Sequence, residues 1–173
     1  MTRRSLLVAM SFLSLGSTHV DAQAPTTPLT GVRKGQVFIV LAVTGNAPSG
    51  LSEDRVRTIL ELRLRQSGVI VLTPMEDLKD PTSNPYFLLE VTTLQLHNMA
   101  GTVTGTSYFV RLSVRIVVPS PLGRSTAPLE LWETERMGVA GLDGTTSVIE
   151  ASINARIDEF LNAWLAANPQ KAS

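Results

Sequence analysis

Cysteine is absent from the 173-residue sequence. That excludes disulfides, a thiol nucleophile and thiolate zinc sites. It also leaves no residue for lipid attachment behind an export signal, so a mature protein without a lipid anchor is expected. Histidine is almost as scarce, with two in the chain. His19 lies near the N-terminus. His97 stands in a glycine-rich stretch and reads as a surface residue of a hairpin loop. A Ser-His-acid triad would have to use it, and no G-x-S-x-G elbow presents a serine. A metal site would have to combine this single imidazole with scattered carboxylates.

Aromatic residues make up 5% of the chain, too few for a stacking platform on single-stranded nucleic acid. No G-x-G-x-x-G or Walker loop follows a strand pattern, so no nucleotide or other cofactor is expected. Neither sign of charge is in excess, with 15 basic and 15 acidic residues. Without Arg3, Arg4 and Asp21 these become 13 and 14, a net charge of −1. That balance gives no electrostatic reason to bind nucleic acid or an anionic membrane.

The one long apolar run, residues 6–15 (LLVAMSFLSL), is too short to cross a bilayer, which takes roughly 20 residues. Arg3 and Arg4 precede it, and Val20-Asp21-Ala22 follows with small or apolar residues where a signal peptidase reads. The three parts predict a secretory signal peptide over residues 1–22, cleaved after Ala22. Cleavage after Ala24 would place Pro25 next to the scissile bond. Thr2-Arg3-Arg4-Ser5-Leu6-Leu7 also resembles the start of a twin-arginine signal, so both export routes stay open. Residues 23–34 (QAPTTPLTGVRK) lack periodicity and read as a flexible leader. Residues 35–169 suit a single domain, with a short tail over 170–173. No membrane span is expected after cleavage.

Within the domain, residues 36–43 (QVFIVLAV) read as a strand buried on both faces and central in its sheet. A helix follows, N-capped by Ser52, with Glu53 and Asp54 in its first turn. Its buried stripe is Val56, Ile59, Leu60 and Leu64. Arg57, Glu61 and Arg65 lie four apart on another face, where i,i+4 ion pairs are expected. Gly68 is placed to end the helix in the left-handed region. Residues 69–73 read as a short strand, and residues 74–85 as a loop. Residues 86–96 read as a third strand. A bulge near Thr92-Thr93 would put Leu89, Val91, Leu94 and Leu96 on one side. Residues 108–118 alternate cleanly, with Val110, Leu112, Val114, Ile116 and Val118 on one face. They should form a long antiparallel hairpin with the third strand. Residues 129–139 read as a fifth strand of ambiguous parity: either Leu129 and Leu131 or Trp132 faces the core. The last helix ends near Ala167, before Pro169. Ser147 to Glu150 reads as its capping box, and Ile149, Ile153, Ile157, Phe160, Leu161 and Trp164 as its buried stripe.

The predicted fold is therefore α+β. It is a two-layer sandwich of a mostly antiparallel five-stranded sheet with two helices on one face, in the order β-α-β-β-β-β-α. Carboxylates offer one route to hydrolysis: Glu133 and Glu135 share one side of a strand, and Asp158 and Glu159 are adjacent on the last helix. A glycosidase needs two carboxylates across a cleft. Cross-strand pairing of Glu133 and Glu135 with Arg111 and Arg115 is the favoured reading instead. With the helices on one face, the other carries Phe109, Arg111, Ser113, Arg115 and Val117. That mix of aromatic, arginine and aliphatic residues is the candidate interface.

Three stretches are similar to a group of uncharacterised secreted bacterial proteins. They are residues 60–72 (LELRLRQSGVIVL), the alternating strand over 108–118, and residues 157–169 (IDEFLNAWLAANP). The resemblance spans most of the mature chain and implies export, with no activity to transfer. The element order also resembles small envelope modules such as the N-terminal domain of the TolB translocation protein, in architecture alone. The propeller that accompanies that domain is not expected within these 173 residues. Together these readings point to a non-enzymatic periplasmic or secreted module that binds another envelope protein or itself. The alternatives are a small carboxylate-based hydrolase and a small-ligand carrier with a pocket between helices and sheet.

Overall fold

In a computed structural model, the structure describes residues 28–45, 48–77, 84–119 and 126–169. The expected signal peptide, the first residues of the leader and the C-terminal tail lie outside the described residues. The element order is β1 (Lys34–Thr44), α1 (Glu53–Gln66), β2 (Ile70–Leu72), α2 (Pro74–Asp77), β3 (Tyr86–His97), β4 (Val103–Pro119), β5 (Thr126–Ala140) and α3 (Thr145–Ala167). The sheet runs β2-β1-β3-β4-β5. β1 lies parallel to both neighbours, and β3, β4 and β5 form an antiparallel meander. This is the expected α+β architecture, with one short helical turn, α2, inside the stretch expected as a loop.

Strand alternation and helix periodicity meet on one face. Val37 and Ile39 of β1, Phe87, Leu89 and Val91 of β3, and Val110, Leu112 and Val114 of β4 all point to the helices and are buried. Val56, Leu60 and Leu64 of α1 and the whole predicted stripe of α3 close over them. Edge-to-face contacts of Phe160 with Phe87 and Trp132, at ring centroid distances of 5.5 and 5.4 Å, tie α3 to β3 and β5. Ser52 caps α1 by accepting from the Arg55 N–H at 3.3 Å. Gly68, at φ 88°, takes the left-handed turn after it. Ion pairs from Arg55 to Glu150 and from Arg63 to Asp158 join α1 to α3.

Five expectations are corrected. First, β1 is flanked by strands but covered on one face only, because both long helices lie on the same side. Phe38 and Val40 are 43% and 47% exposed. Second, β3 has no bulge at Thr92-Thr93; its register breaks between Leu96 and His97. Ladders to β1 and β4 on either side hold the strand regular, so Thr93 is buried and Leu94 faces out. Third, β5 does not choose between its two expected parities: a register break beside Leu131 turns Trp132 inward, and Leu131 packs partly against the core as well. Fourth, Ser147 and Glu150 do not form a capping box. α3 starts at Thr145 behind Gly144, whose φ of 75° reverses the chain three residues early. Ser147 Oγ then donates to the Gly144 carbonyl, and Glu150 is taken by Arg55. Fifth, the described part of the expected leader is packed: Leu29 and Val32 are buried.

That N-terminal strap is held by the end of α3. Trp164 Nε1 donates to the Val32 carbonyl. Asn168 Nδ2 donates to the Leu29 carbonyl at 2.9 Å, and Asn168 Oδ1 accepts from the Gly31 N–H at 2.9 Å. Trp164 thus fills the core and satisfies a buried carbonyl at once. Trp164→Ala should cost about 3–5 kcal/mol in urea denaturation, as core aromatic truncations do. A loss below about 1 kcal/mol would show that neither the packing nor the strap contributes to stability.

Candidate interaction surface

The sheet face away from the helices follows from strand parity. β1 contributes Phe38 and Val40, and β3 contributes Tyr86, Leu88, Glu90 and Leu94. β4 contributes Phe109, Arg111, Ser113, Arg115 and Val117. β5 contributes Glu130, Glu133, Glu135, Met137 and Val139. All five expected interface residues therefore lie on one face and one strand. The apolar residues separate into two groups. Phe38, Val40, Tyr86, Leu88 and Val117, with Asn84, line an open hollow of about 470 Å³. At the diagonally opposite end, Leu94, Phe109 and Met137 border a smaller one of about 200 Å³. Leu94, Met137 and Val139 are 47%, 77% and 67% exposed.

Charged residues fill the centre between them. Arg111 Nη2 donates to Glu130 Oε2 at 2.7 Å and to Glu133 Oε2 at 2.5 Å. Arg115 Nε donates to Glu130 Oε2 at 3.3 Å. Glu90 Oε2 stands 3.9 Å from Arg111 Nη1 and 3.8 Å from Arg115 Nη2. The expected pairing of Glu133 is therefore found. Glu135 sits opposite Arg111 in register yet makes no ion pair among the described residues. Glu90 and Glu130, which sequence reasoning did not single out, take that place.

The register break in β5 produces this centre. Val114 pairs with Trp132, whereas Arg115 pairs with Glu130, so Leu131 is the extra residue. Without it Glu130 and Trp132 would share a face. With it, Trp132 packs on Phe160 and Glu130 lies between the two arginines. The sequence did carry a signal: a carboxylate and an indole two residues apart cannot both suit one face.

The guanidinium stems roof the middle of the sheet. Arg111 and Arg115 side chains are 27% and 19% exposed, and Ser113 between them is fully buried. Among the described residues, Ser113 Oγ, Arg111 Nε and Glu90 Oε2 have no hydrogen-bond partner. Burial acts to lower the Arg111 pKa, but the Glu133 hydrogen bond and the charges of Glu130, Glu133 and Glu90 outweigh it, and the net shift is upward. Arg111 is a fixed cation.

The helix side differs. Arg65–Glu61 forms one of the expected i,i+4 pairs at 3.1 Å, whereas Arg57 pairs with Glu53, one turn earlier, at 3.0 Å. Asp158 is paired with Arg63, and Glu159 with Arg156 at 2.7 Å. Glu133 and Glu135 lie on the opposite face, so the carboxylates considered for hydrolysis do not converge. His97 is exposed, with Nδ1 at 3.1 Å from the Gly101 carbonyl oxygen. Among the described residues, no group of three or more His, Asp or Glu side chains could hold a metal ion. No helix among them is long and apolar enough to cross a membrane. A hollow of about 210 Å³ lies between α3 and the sheet, lined by Tyr108, Arg136, Val148, Ala151 and Ser152. The larger apolar hollow is on the other face.

No family model matches the chain, and no curated protein matches it. Solved structures resemble it in outline. A single-substitution PelC dodecamer from Paraburkholderia phytofirmans is 14% identical over 77% of this chain and 89% of that one, with a TM-score of 0.45. Rare lipoprotein B from Shewanella oneidensis is 14% identical over 77% and 92%, with a TM-score of 0.31. A minor lipoprotein from Acinetobacter baumannii is 15% identical over 76% and 88%, with a TM-score of 0.30. Likenesses this distant assign no activity or partner. The expected likeness to the TolB N-terminal domain is not shown by these comparisons.

Two arginines among more numerous carboxylates should respond asymmetrically to substitution. Removing a guanidinium leaves several carboxylates facing one another, whereas removing one carboxylate relieves an excess. Arg111→Met should cost about 1–3 kcal/mol in urea denaturation. Glu133→Gln should cost about 0–1 kcal/mol. A larger loss for Glu133→Gln would contradict this account of the centre.

Proposed function

We propose that this chain is a non-enzymatic, exported binding module of the bacterial cell envelope, and that its open sheet face docks another protein. One observation carries the reading. The helices seal one face of the sheet, while the other leaves Phe38, Val40, Leu94, Met137 and Val139 between 43% and 77% exposed around a polar centre. Scattered exposed apolar side chains need no explanation, but two groups on one flat face, separated by charge, match the composition of a docking surface. The N-terminal pattern of Arg3-Arg4, an apolar run and Val20-Asp21-Ala22 supports export, to the periplasm or beyond.

The sheet edges argue that the face, rather than an edge, receives the partner. β2 exposes a strand of three residues. β5 carries Pro128, the register break and Glu130, Glu133 and Glu135, all devices that discourage strand addition.

Site-specific photo-crosslinking in the native envelope tests the reading. A benzophenone side chain at Val40 or Met137 should give discrete protein adducts, and the same group at Leu62 or Leu165 on the helices should give none. Adducts from the helix positions alone would move the docking site to the helix layer.

A further inference from the structure

We infer that the partner meets this face with a positively charged side chain flanked by apolar ones; this rests on the reading of the open face as the docking surface. Four carboxylates, Glu90, Glu130, Glu133 and Glu135, share the centre of the face with two guanidiniums, Arg111 and Arg115. In water the surplus negative charge is solvated. Under a docked partner it is not, and an uncompensated buried charge is too costly to keep. The occupant must therefore supply cations.

The accessible carboxylates point to the same place. The Glu90 and Glu133 side chains stay 30% and 45% exposed, so both can meet an incoming donor. A lysine ammonium offers three donors and a guanidinium five, enough for Glu90 on β3 or for Glu133 and Glu135 on β5. The apolar requirement follows from register. Val40 is the ladder partner of Glu90, and Val40 also lines the 470 Å³ hollow with Phe38, Tyr86 and Leu88. An apolar side chain seated in that hollow places its neighbours next to the Glu90 carboxylate.

The charge balance argues against a second copy as the occupant. Facing two such centres would set surplus carboxylates against surplus carboxylates. Lys34 on β1 is the one further cation this face offers among the described residues, and it sits at the corner away from the charged centre.

The test uses the mature chain, residues 23–173, and three labelled synthetic peptides of equal length. Leucine alternates with lysine in the first, with serine in the second and with glutamate in the third. In fluorescence anisotropy the lysine peptide should bind about tenfold or more tightly than the serine peptide, and the glutamate peptide should not bind. Glu90→Gln and, separately, the exposed Glu133→Gln should each cut the preference for lysine about tenfold, while Glu61→Gln on α1 leaves it unchanged. Raising the salt should reduce the preference. Equal binding of the lysine and serine peptides, with both lost in Phe38→Ser, would overturn the charge requirement and leave the docking face standing. Failure of the lysine peptide to bind, or binding indifferent to Phe38, Glu90 and Glu133 alike, would overturn it together with the face itself. Self-association in sedimentation that Val40→Ser and Glu90→Gln abolish would make the second copy the occupant and contradict the inference.

Discussion

A five-stranded sheet has two faces, and the long helices of this chain cover one. The rest of the structure follows from that unequal cover. α1 lies over β1 and β2, α3 lies over β4 and β5, and the two helices share one core with the inward side chains of every long strand. The uncovered face must then be made tolerable in water by its own side chains. The chain does so with long charged residues in the middle, whose stems roof Ser113, and leaves apolar residues at two opposite ends.

The register break beside Leu131 is what lets one strand serve both layers. It gives the core Trp132 and gives the open face Glu130 from positions that regular alternation would put together. The same break interrupts the exposed edge of β5. The strap at residues 29–32 has a comparable double role at the other end. Asn168 ends α3 and at the same time binds the Leu29 carbonyl and the Gly31 amide, so the first described residues close the end of the core.

Much of this is legible in the sequence wherever a pattern has a single reading. The alternation of β4 identifies Phe109, Arg111, Ser113, Arg115 and Val117 as one face, and the spacing from Ile149 to Trp164 identifies the stripe of α3. The cap of α1 is legible because Ser52, Glu53 and Asp54 all favour the same start. What stays hidden depends on distant parts of the chain. The regularity of β3 is imposed by ladders on both sides, against the local pull of Leu94. The start of α3 is decided by Gly144 and by Arg55, 95 residues before Glu150. The pairing of Glu90 and Glu130 with the arginines requires two cross-strand registers and a bulge, none of which composition encodes. The packing of Leu29 and Val32 requires knowing that Trp164 and Asn168 wait beside them.

The central claim is that the open sheet face is covered in the cell. Methionine oxidation measures that cover without altering the chain. Met137 lies on the open face at 77% exposure, and Met75 in α2, at 74%, lies outside that face. Dilute peroxide should convert both to sulfoxides at similar rates in the purified protein. In the intact envelope, Met137 should oxidise several-fold more slowly relative to Met75. Equal slowing of the two, or none, would contradict the account.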